Sequence, residues 1–127
     1  MAEIVLDASA LLTLFQLEPG ADIVAQRVGN SAVSAVNFSE VVAKLAEKGV
    51  PEAAIRSHLT SLKMQTVAFD VELAYSAGLL RPDTRSLGLS LGDRSCLALA
   101  QMLGLPVLTG DRRWRELGLE VEVRLIR

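Results

Sequence analysis

Three short apolar runs, each closed by a polar cluster and followed by a helical pattern, set the strongest constraint on the fold of this chain. They are IVLDAS at 4–9, AVSAVN at 32–37 and PVLTGD at 106–111. Strands that are buried on both faces, as in a parallel sheet, give runs of this kind. The sequence therefore predicts strands that alternate with helices, an α/β fold with a mainly parallel sheet.

Two further segments are predicted to complete the sheet. QTVAFD at 65–70 is typical of a strand, whereas LEVEVRLI at 119–126 alternates apolar and charged residues. This alternation indicates an edge strand with one face in water. The predicted helices span 8–17, 20–29, 36–48, 51–63, 70–80 with a broken continuation toward 87, 92–104 and 112–117.

Length and composition favour a single domain over residues 1–127. Half of the 127 residues are apolar and only 4% are aromatic, so the chain can bury one core made mainly of aliphatic side chains. No linker, internal repeat or low-complexity segment divides it.

The cysteine content and the terminal sequence predict a cytoplasmic protein. Cys96 is the only cysteine, so no internal disulfide can form and a reducing compartment is favoured. The first residues, MAEIVLDASALL, lack the basic segment of a signal peptide and are interrupted by Asp7. No apolar stretch approaches the roughly 20 residues that a membrane helix needs, so no membrane contact is expected.

The charge is unevenly distributed along the chain. Residues 1–80 carry five basic and nine acidic side chains, and residues 81–127 carry eight basic and six acidic ones, for a net charge of −2. This balance is not that of a constitutive nucleic-acid binder, which usually has a basic stripe and a high isoelectric point. A polyanion would be expected to meet the C-terminal third.

Four acidic residues stand where the predicted topology can bring them together. Asp7 ends the first strand and Asp111 follows the PVLT strand by two residues. Ligands of open parallel sheets bind beyond the carboxyl ends of the strands, so these two acids share one rim if their strands are neighbours. Asp93 lies in the first turn of helix 92–104, and Glu40 lies in helix 36–48 on the same face as Asn37.

Each of these acids also has a purely structural interpretation. Asp7, Asp93 and Asp111 could cap or begin helices, where free backbone amides and the helix dipole favour negative charge. Glu40 could pair with Lys44, one turn later on the same helix face.

Two considerations favour a metal site over these alternatives. Asp93 precedes Cys96 and Leu97 by three and four residues, so it is expected to point along an apolar face, where an uncompensated carboxylate is costly. Carboxylates that converge on one rim repel one another unless a cation neutralises them. Oxygen ligands without a second cysteine indicate Mg²⁺ or Mn²⁺ rather than zinc. Such an ion supports phosphodiester hydrolysis without a nucleophilic side chain.

Four segments together resemble the PIN domain family, specifically the VapC type of bacterial toxin. They are VLDASALL, AVNFSEVVAKL, LSLGDRSCLALA and LPVLTGDRRW, and in order they cover essentially the whole chain. The resemblance implies a three-layer α/β/α sandwich around a mainly parallel, five-stranded sheet of order 3-2-1-4-5. It also implies the toxin of a type II toxin–antitoxin system: a Mg²⁺- or Mn²⁺-dependent endoribonuclease, usually a homodimer, inhibited by a cognate VapB-type antitoxin.

The resemblance also assigns roles to the four acids. Asp7, Glu40 and Asp93 match the three acids shared across the family, and Asp111 matches the fourth, more variable one. All four are expected to bind the metal ion and to act in catalysis. Since none of the acids of the pattern is missing, the sequence gives no sign of an inactive site.

Three polar residues are expected to hold these acids in place rather than to bind the ion. Ser9 matches the position two residues after the first acid, and Thr109 matches the small hydroxyl residue before the fourth. Asn37 is expected to support Glu40 from the same helix face.

Arginines near the predicted rim are candidates for binding RNA phosphates. These are Arg94, Arg112, Arg113 and Arg115, which would add affinity without sequence choice. Solvated surface arginines are an equally good interpretation of each one. Trp114 could stack on a base, but a lone tryptophan in a short helix is more often part of the core.

Other α/β families fit the first motif less well. A receiver domain needs a second acid beside Asp7, where this chain has Leu6, and a phosphatase of the haloacid dehalogenase type needs an aspartate where Ser9 stands. No glycine-rich phosphate loop precedes a helix. A PIN-like scaffold that binds RNA or protein, and a housekeeping nuclease without a toxin role, remain as alternatives.

Overall fold

The computed structural model describes all residues, 1–127, and contains one five-stranded sheet. Each strand runs parallel to its neighbours, and the order is β3-β2-β1-β4-β5. The predicted strand order is therefore confirmed. The strands are β1 (Ile4–Leu6), β2 (Ser31–Ser34), β3 (Gln65–Val67), β4 (Val107–Thr109) and β5 (Val123–Leu125).

Seven α-helices and three short 3₁₀ helices connect the strands. The α-helices are α1 (Ala8–Gln16), α2 (Ala21–Arg27), α3 (Ala35–Glu47), α4 (Glu52–Ser61), α5 (Val71–Leu79), α6 (Arg81–Thr84) and α7 (Leu91–Leu103). The 3₁₀ helices are Val28–Asn30, Arg85–Leu87 and Arg112–Glu116. None of the helices is long and apolar enough to cross a membrane.

The sheet separates two apolar cores, which confirms the three-layer sandwich. Ile4 and Leu6 of β1 pack on one side with residues of α1 to α4, and Val5 packs on the other side with residues of α5 and α7. Successive side chains of a strand point to opposite faces. A strand that is covered on both sides must therefore be apolar throughout, which explains the unbroken apolar runs in β1 and β4.

Strand β5 is an edge strand, as its alternating sequence predicted. It pairs only with β4, and Val123 and Leu125 are partly buried whereas Arg124 is exposed. The alternation therefore turns Val123 toward the core on the side of α5 and α7 and leaves Arg124 in solvent.

Some element boundaries differ from the prediction for local reasons. The run AVSAVN spans the end of β2 and the start of α3, because the hydroxyl of Ser34 accepts a bond from the amide of Val36 (3.2 Å) and so caps the helix. Helix α5 ends at Leu79, and Pro82 stands in the first turn of α6, where its missing N–H is tolerated. The last predicted helix is a 3₁₀ helix of five residues.

The turn between α1 and α2 packs closely against the residue that follows β5. Gly20 has φ of 100°, and a Cβ on it would collide with the backbone carbonyl of Ile126. Gly49 has φ of 88°, but a Cβ on it would meet nothing within 4 Å. Gly49→Ala should therefore cost about 1 kcal/mol of strain alone, and Gly20→Ala should cost about 1–3 kcal/mol more because of the clash.

Urea denaturation of both variants beside the wild type measures this difference. An equal loss of unfolding free energy at the two positions would show that the contact between Gly20 and Ile126 is not tight.

Candidate metal centre

Asp7 lies buried at the carboxyl end of the central strand, where three donors hold its carboxylate. The hydroxyl of Thr109 donates to Oδ2 (2.6 Å), and the hydroxyl of Ser9 and the amide of Ala10 donate to Oδ1 (2.7 and 2.9 Å). Asp7 is therefore the N-cap of α1 and also lies at the predicted rim. Thr109 and Ser9, the hydroxyl residues expected beside the acids, thus both hydrogen-bond to Asp7.

Burial makes this carboxylate difficult to ionise. Asp7 is only 4% exposed, and desolvation raises its pKa from 3.8 to about 6. The bonds from Thr109, Ser9 and Ala10 oppose this rise in the pKa, and the charge of Asp93 adds to it. A cation beside Asp7 would relieve the unfavourable charge.

Glu40 is held by Asn37 and by the start of α7. The amide nitrogen of Asn37 donates to Oε1 of Glu40 (2.9 Å) and to the carbonyl of Gly92 (3.1 Å). A Cβ on Gly92 would overlap the Glu40 carboxylate. The alternative pairing of Glu40 with Lys44 does not occur among the ion pairs of the structure.

Asp93 points toward the helix start, so the expectation that it lies along an apolar face is wrong. It forms a capping box with Ser90: its Oδ2 accepts from the Ser90 amide (3.0 Å), and its own amide donates to the Ser90 hydroxyl (3.1 Å). Side chains of a helix lean toward its N-terminus. At the third helical position this direction leads out to the partly exposed rim.

Three of the acids lie near enough to the buried thiol of Cys96 to affect its pKa. Burial raises the pKa of Cys96 well above 9.0, and the charges of Asp7, Asp93 and Glu40 raise it further. Asp7 directly follows β1, Glu40 lies in α3 and Asp93 in the first turn of α7, and the fold brings them to the same edge of the sheet. Cys96 itself is a buried, uncharged part of the core.

Asp111 lies at this edge too, but its charge is already neutralised. It caps the last 3₁₀ helix, and Arg113 donates to it from Nε (3.1 Å to Oδ1) and from Nη2 (2.8 Å to Oδ2). The hydrogen bond from Arg113 is the largest cause that holds the pKa of Asp111 below 3.8. Asp111 therefore has a clear role in local structure.

The other arginines near the rim differ in solvent exposure and in hydrogen bonding. Arg94 is partly buried and donates from Nη1 to the carbonyl of Ala77 (3.0 Å), whereas Arg112 and Arg115 are exposed. Trp114 is fully buried, so it belongs to the core, as its position in a short helix indicated, and is not available to stack on a base.

The donor chemistry of the site suits a hard divalent cation. Asp7, Glu40 and Asp93 offer carboxylate oxygens, and the buried carbonyl oxygen Oδ1 of Asn37 has no hydrogen-bond partner. As they stand in this structure, no three acidic side chains are close enough together to hold a metal ion, so they would have to move toward one another to bind one. These residues nevertheless fit a divalent cation, both by the type of ligand they offer and by their position at the sheet edge.

The raised pKa of Asp7 predicts how stability depends on pH in EDTA. The protonated carboxyl is favoured by the fold, so its contribution is fully present below pH 3.8 and is lost as the pH rises through about 6. The difference between these pKa values corresponds to about 3 kcal/mol. Asp7→Asn, which stays neutral, should be more stable than the wild type at pH 7.5 by up to this amount.

Thermal or urea denaturation from pH 4 to 8 checks this prediction. Asp70→Asn is a matched control, because Asp70 also caps a helix, by accepting from the amide of Leu73 (2.9 Å), but is exposed. A wild-type profile that does not fall relative to Asp7→Asn above pH 4 would contradict the assignment.

Comparison with known proteins agrees with this fold. A family model of the PIN domain matches residues 4–119, and no curated protein matches the sequence. Similar solved structures include the DNA-bound VapBC from Salmonella typhimurium, with 16% identity over 100% of both chains and a TM-score of 0.78. The toxin–antitoxin complex from Klebsiella pneumoniae has 19% identity over 98% of both chains and a TM-score of 0.76.

A third structure is VapC20 from Mycobacterium tuberculosis, a toxin that cleaves the sarcin-ricin loop. It has 16% identity, covers 94% of this chain and 99% of its own, and gives a TM-score of 0.76. Identities this low show a shared fold. The family match covers most of the chain, and with the acids gathered at the sheet edge it shows that this protein belongs to the PIN domain family.

Proposed function

We propose that this chain is the toxin of a type II toxin–antitoxin pair of the VapBC type, and that it is a Mg²⁺- or Mn²⁺-dependent endoribonuclease. The observation that carries the proposal is that Asp7, Glu40 and Asp93 lie at the carboxyl edge of the sheet, all three near enough to Cys96 to raise its pKa. Three acids from three elements in one place suit a cation and, through it, a phosphodiester.

No side chain of the site is well placed to attack a phosphodiester, so water is the expected nucleophile. Ser9 donates to Asp7 and accepts from the amide of Gly110 (3.0 Å), so its oxygen is engaged on both sides. Burial and the nearby acids keep Cys96 protonated at neutral pH, and a thiol is a weaker nucleophile than a thiolate. Covalent catalysis by either residue is therefore disfavoured.

The chain's own residues would hold and orient the reacting groups. Asp7, Glu40 and Asp93 would hold the ion, while Thr109 and Ser9 fix the direction of the Asp7 carboxylate and Asn37 fixes that of Glu40. The bound ion would neutralise phosphate charge and make water easier to deprotonate. Asp111, paired with Arg113, would shape the rim and tolerate substitution best.

Cleavage assays on single-stranded RNA test the proposal. The wild type should cleave with Mg²⁺ or Mn²⁺ and stop with EDTA, and Asp7→Asn and Asp93→Asn should each lose at least about 100-fold in rate, since each removes a charged ligand. Asp70→Asn, an exposed helix cap away from the site, should keep full activity. Cleavage that persists in EDTA, or in both site variants, would contradict a metal-dependent nuclease.

The toxin role has its own test in cells. Expression of the wild type should arrest growth. Coexpression of a small protein encoded next to it should restore growth, and that protein should copurify with this chain as a VapB-type antitoxin. An apolar groove between α3 and α4, lined by residues that include Phe38, Val42 and Ile55, offers surface for such a partner. Normal growth with intact, active protein would instead favour a housekeeping nuclease, and a folded, inactive protein would favour a scaffold.

We also propose that the protein forms a homodimer through α5. Val71, Tyr75 and Leu79 recur every fourth residue on this helix and are 69%, 65% and 75% exposed. Large apolar side chains aligned on one helix face are unusual on a monomer surface. The expected partner is therefore a second copy of the chain, with the two α5 helices in contact.

A charge on this stripe should separate the dimer. Leu79→Lys should shift the protein toward the monomer by about tenfold or more in the dissociation constant, because the introduced charge would be buried at the interface. Met102→Lys is the control, since Met102 is also exposed but lies on α7. Light scattering across a concentration series measures the result, and a monomeric wild type or an unchanged Leu79→Lys dimer would count against the interface.

A further inference from the structure

Arg127 reaches the acidic rim from the far end of the sequence. It follows the edge strand β5 by two residues, and because the sheet is parallel, it lies at the same edge as Asp7 and Asp111. The amide of Ile126 donates to the carbonyl of Thr109 (3.1 Å), so the β4 and β5 ends stay paired up to this point. The topology therefore brings the backbone of Arg127 to the same edge of the sheet as the acids.

The side chain of Arg127 is fixed at one end only. Its Nη1 donates to the hydroxyl of Thr13 (3.0 Å) in α1 and to the carbonyl of Pro19 (3.0 Å) in the turn that follows. Thr13 is buried, so this anchor is rigid. The two bonds use both hydrogens of Nη1 and hold the guanidinium in one orientation.

The other end of the guanidinium is open. Nε and Nη2 of Arg127 donate to no protein group, and the side chain is exposed. Nη2 and the hydroxyl of Ser9 both lie 3.4 Å from the place where a Cβ on Gly110 would be, and Ser9 bonds directly to Asp7. The unbonded Nη2 therefore lies within about 7 Å of the Ser9 hydroxyl, which itself bonds to Asp7.

Arg127 combines an anchored guanidinium with the lack of an acidic partner. Arg112 and Arg115 also form no ion pair, but no side-chain hydrogen bond holds them in place. Arg113 is paired with Asp111, and Arg124, which lies in β5 three residues before Arg127, is paired with Glu122. Arg127 forms no ion pair with a side chain. Its charge is thus available to an anion that enters from solvent.

We propose that Arg127 binds an RNA phosphate that neighbours the scissile one, on the β5 side of the acids. The inference rests on the proposed nuclease function. A guanidinium that presents Nε and Nη2 matches two oxygens of one phosphate. A phosphodiester held at the acids is always followed by another phosphate along the strand. Gly110 places no side chain between Ser9 and the Nη2 group of Arg127.

Binding of labelled single-stranded RNA in EDTA tests this role without cleavage. Arg127→Gln should raise the dissociation constant about tenfold, as loss of a charge-assisted contact does. The slope of log affinity against log salt should fall in magnitude by about 0.7, as for one phosphate contact to a single strand. Arg124→Gln, which removes the same charge three residues earlier in the chain, should change affinity less than about twofold.

Two further variants separate phosphate binding from support of the α1–α2 turn. Arg127→Lys keeps the charge and should recover part of the affinity and the full salt slope, although not the two-oxygen contact. Thr13→Val removes the anchor hydroxyl and should weaken binding less than Arg127→Gln does. In turnover assays with Mg²⁺, Arg127→Gln should raise KM and leave kcat within about twofold, because the contact lies away from the reacting bond.

Several outcomes would overturn the proposal. Equal effects of Arg127→Gln and Arg124→Gln would mean that only general charge matters. Loss of kcat with unchanged RNA affinity would assign Arg127 to structure, and weakened capture of an antitoxin with unchanged RNA affinity would assign it to the protein partner. If the wild type binds RNA through Arg127 yet never cleaves it with any divalent ion, the proposed nuclease function fails while the phosphate contact stands.

Discussion

The burial of one carboxylate, that of Asp7, at the end of the central strand is the interaction on which the rest of the site depends. Its donors come from two other elements, Thr109 of β4 and Ser9 and Ala10 of α1. The same bonds therefore align the two central strands and start the first helix. A buried acid is costly unless it is fully bonded or neutralised, and here the bonds offset only part of the cost, since the pKa is still raised to about 6.

The two acids that follow β1 and β4 have opposite electrostatic environments. Desolvation raises the pKa of Asp7, whereas the bond from Arg113 holds the pKa of Asp111 below its ordinary value. Pairs of acids whose surroundings move their pKa values apart usually have different tasks. The edge of the sheet is accordingly divided into a neutralised half at Asp111 and a half at Asp7, Glu40 and Asp93 whose charges lack ion-pair partners.

The fold was largely predictable because its strands bury both faces, and buried strands leave a simple apolar signal in the sequence. The positions of Asp7 and Asp111 followed from the same rule about carboxyl ends. The direction of Asp93 did not, because a capping box and an inward-facing acid have the same helical spacing. The pairing of Arg113 with Asp111 depends on a five-residue 3₁₀ turn, whose geometry local sequence does not determine. The role of Arg127 depends on contacts across more than a hundred residues.

Gly92 shows that a residue without functional atoms can still shape the candidate metal site. The Glu40 carboxylate occupies the volume that any side chain at position 92 would need. The end of a flexible glutamate can move aside at little energetic cost, so a larger residue there would leave the fold intact and displace only the acid. The absence of a side chain at Gly92 thus provides the space for Glu40, which lies 52 positions earlier in the sequence. In related chains, the identity of this residue would report on whether the glutamate is in place, independently of whether the glutamate itself is retained.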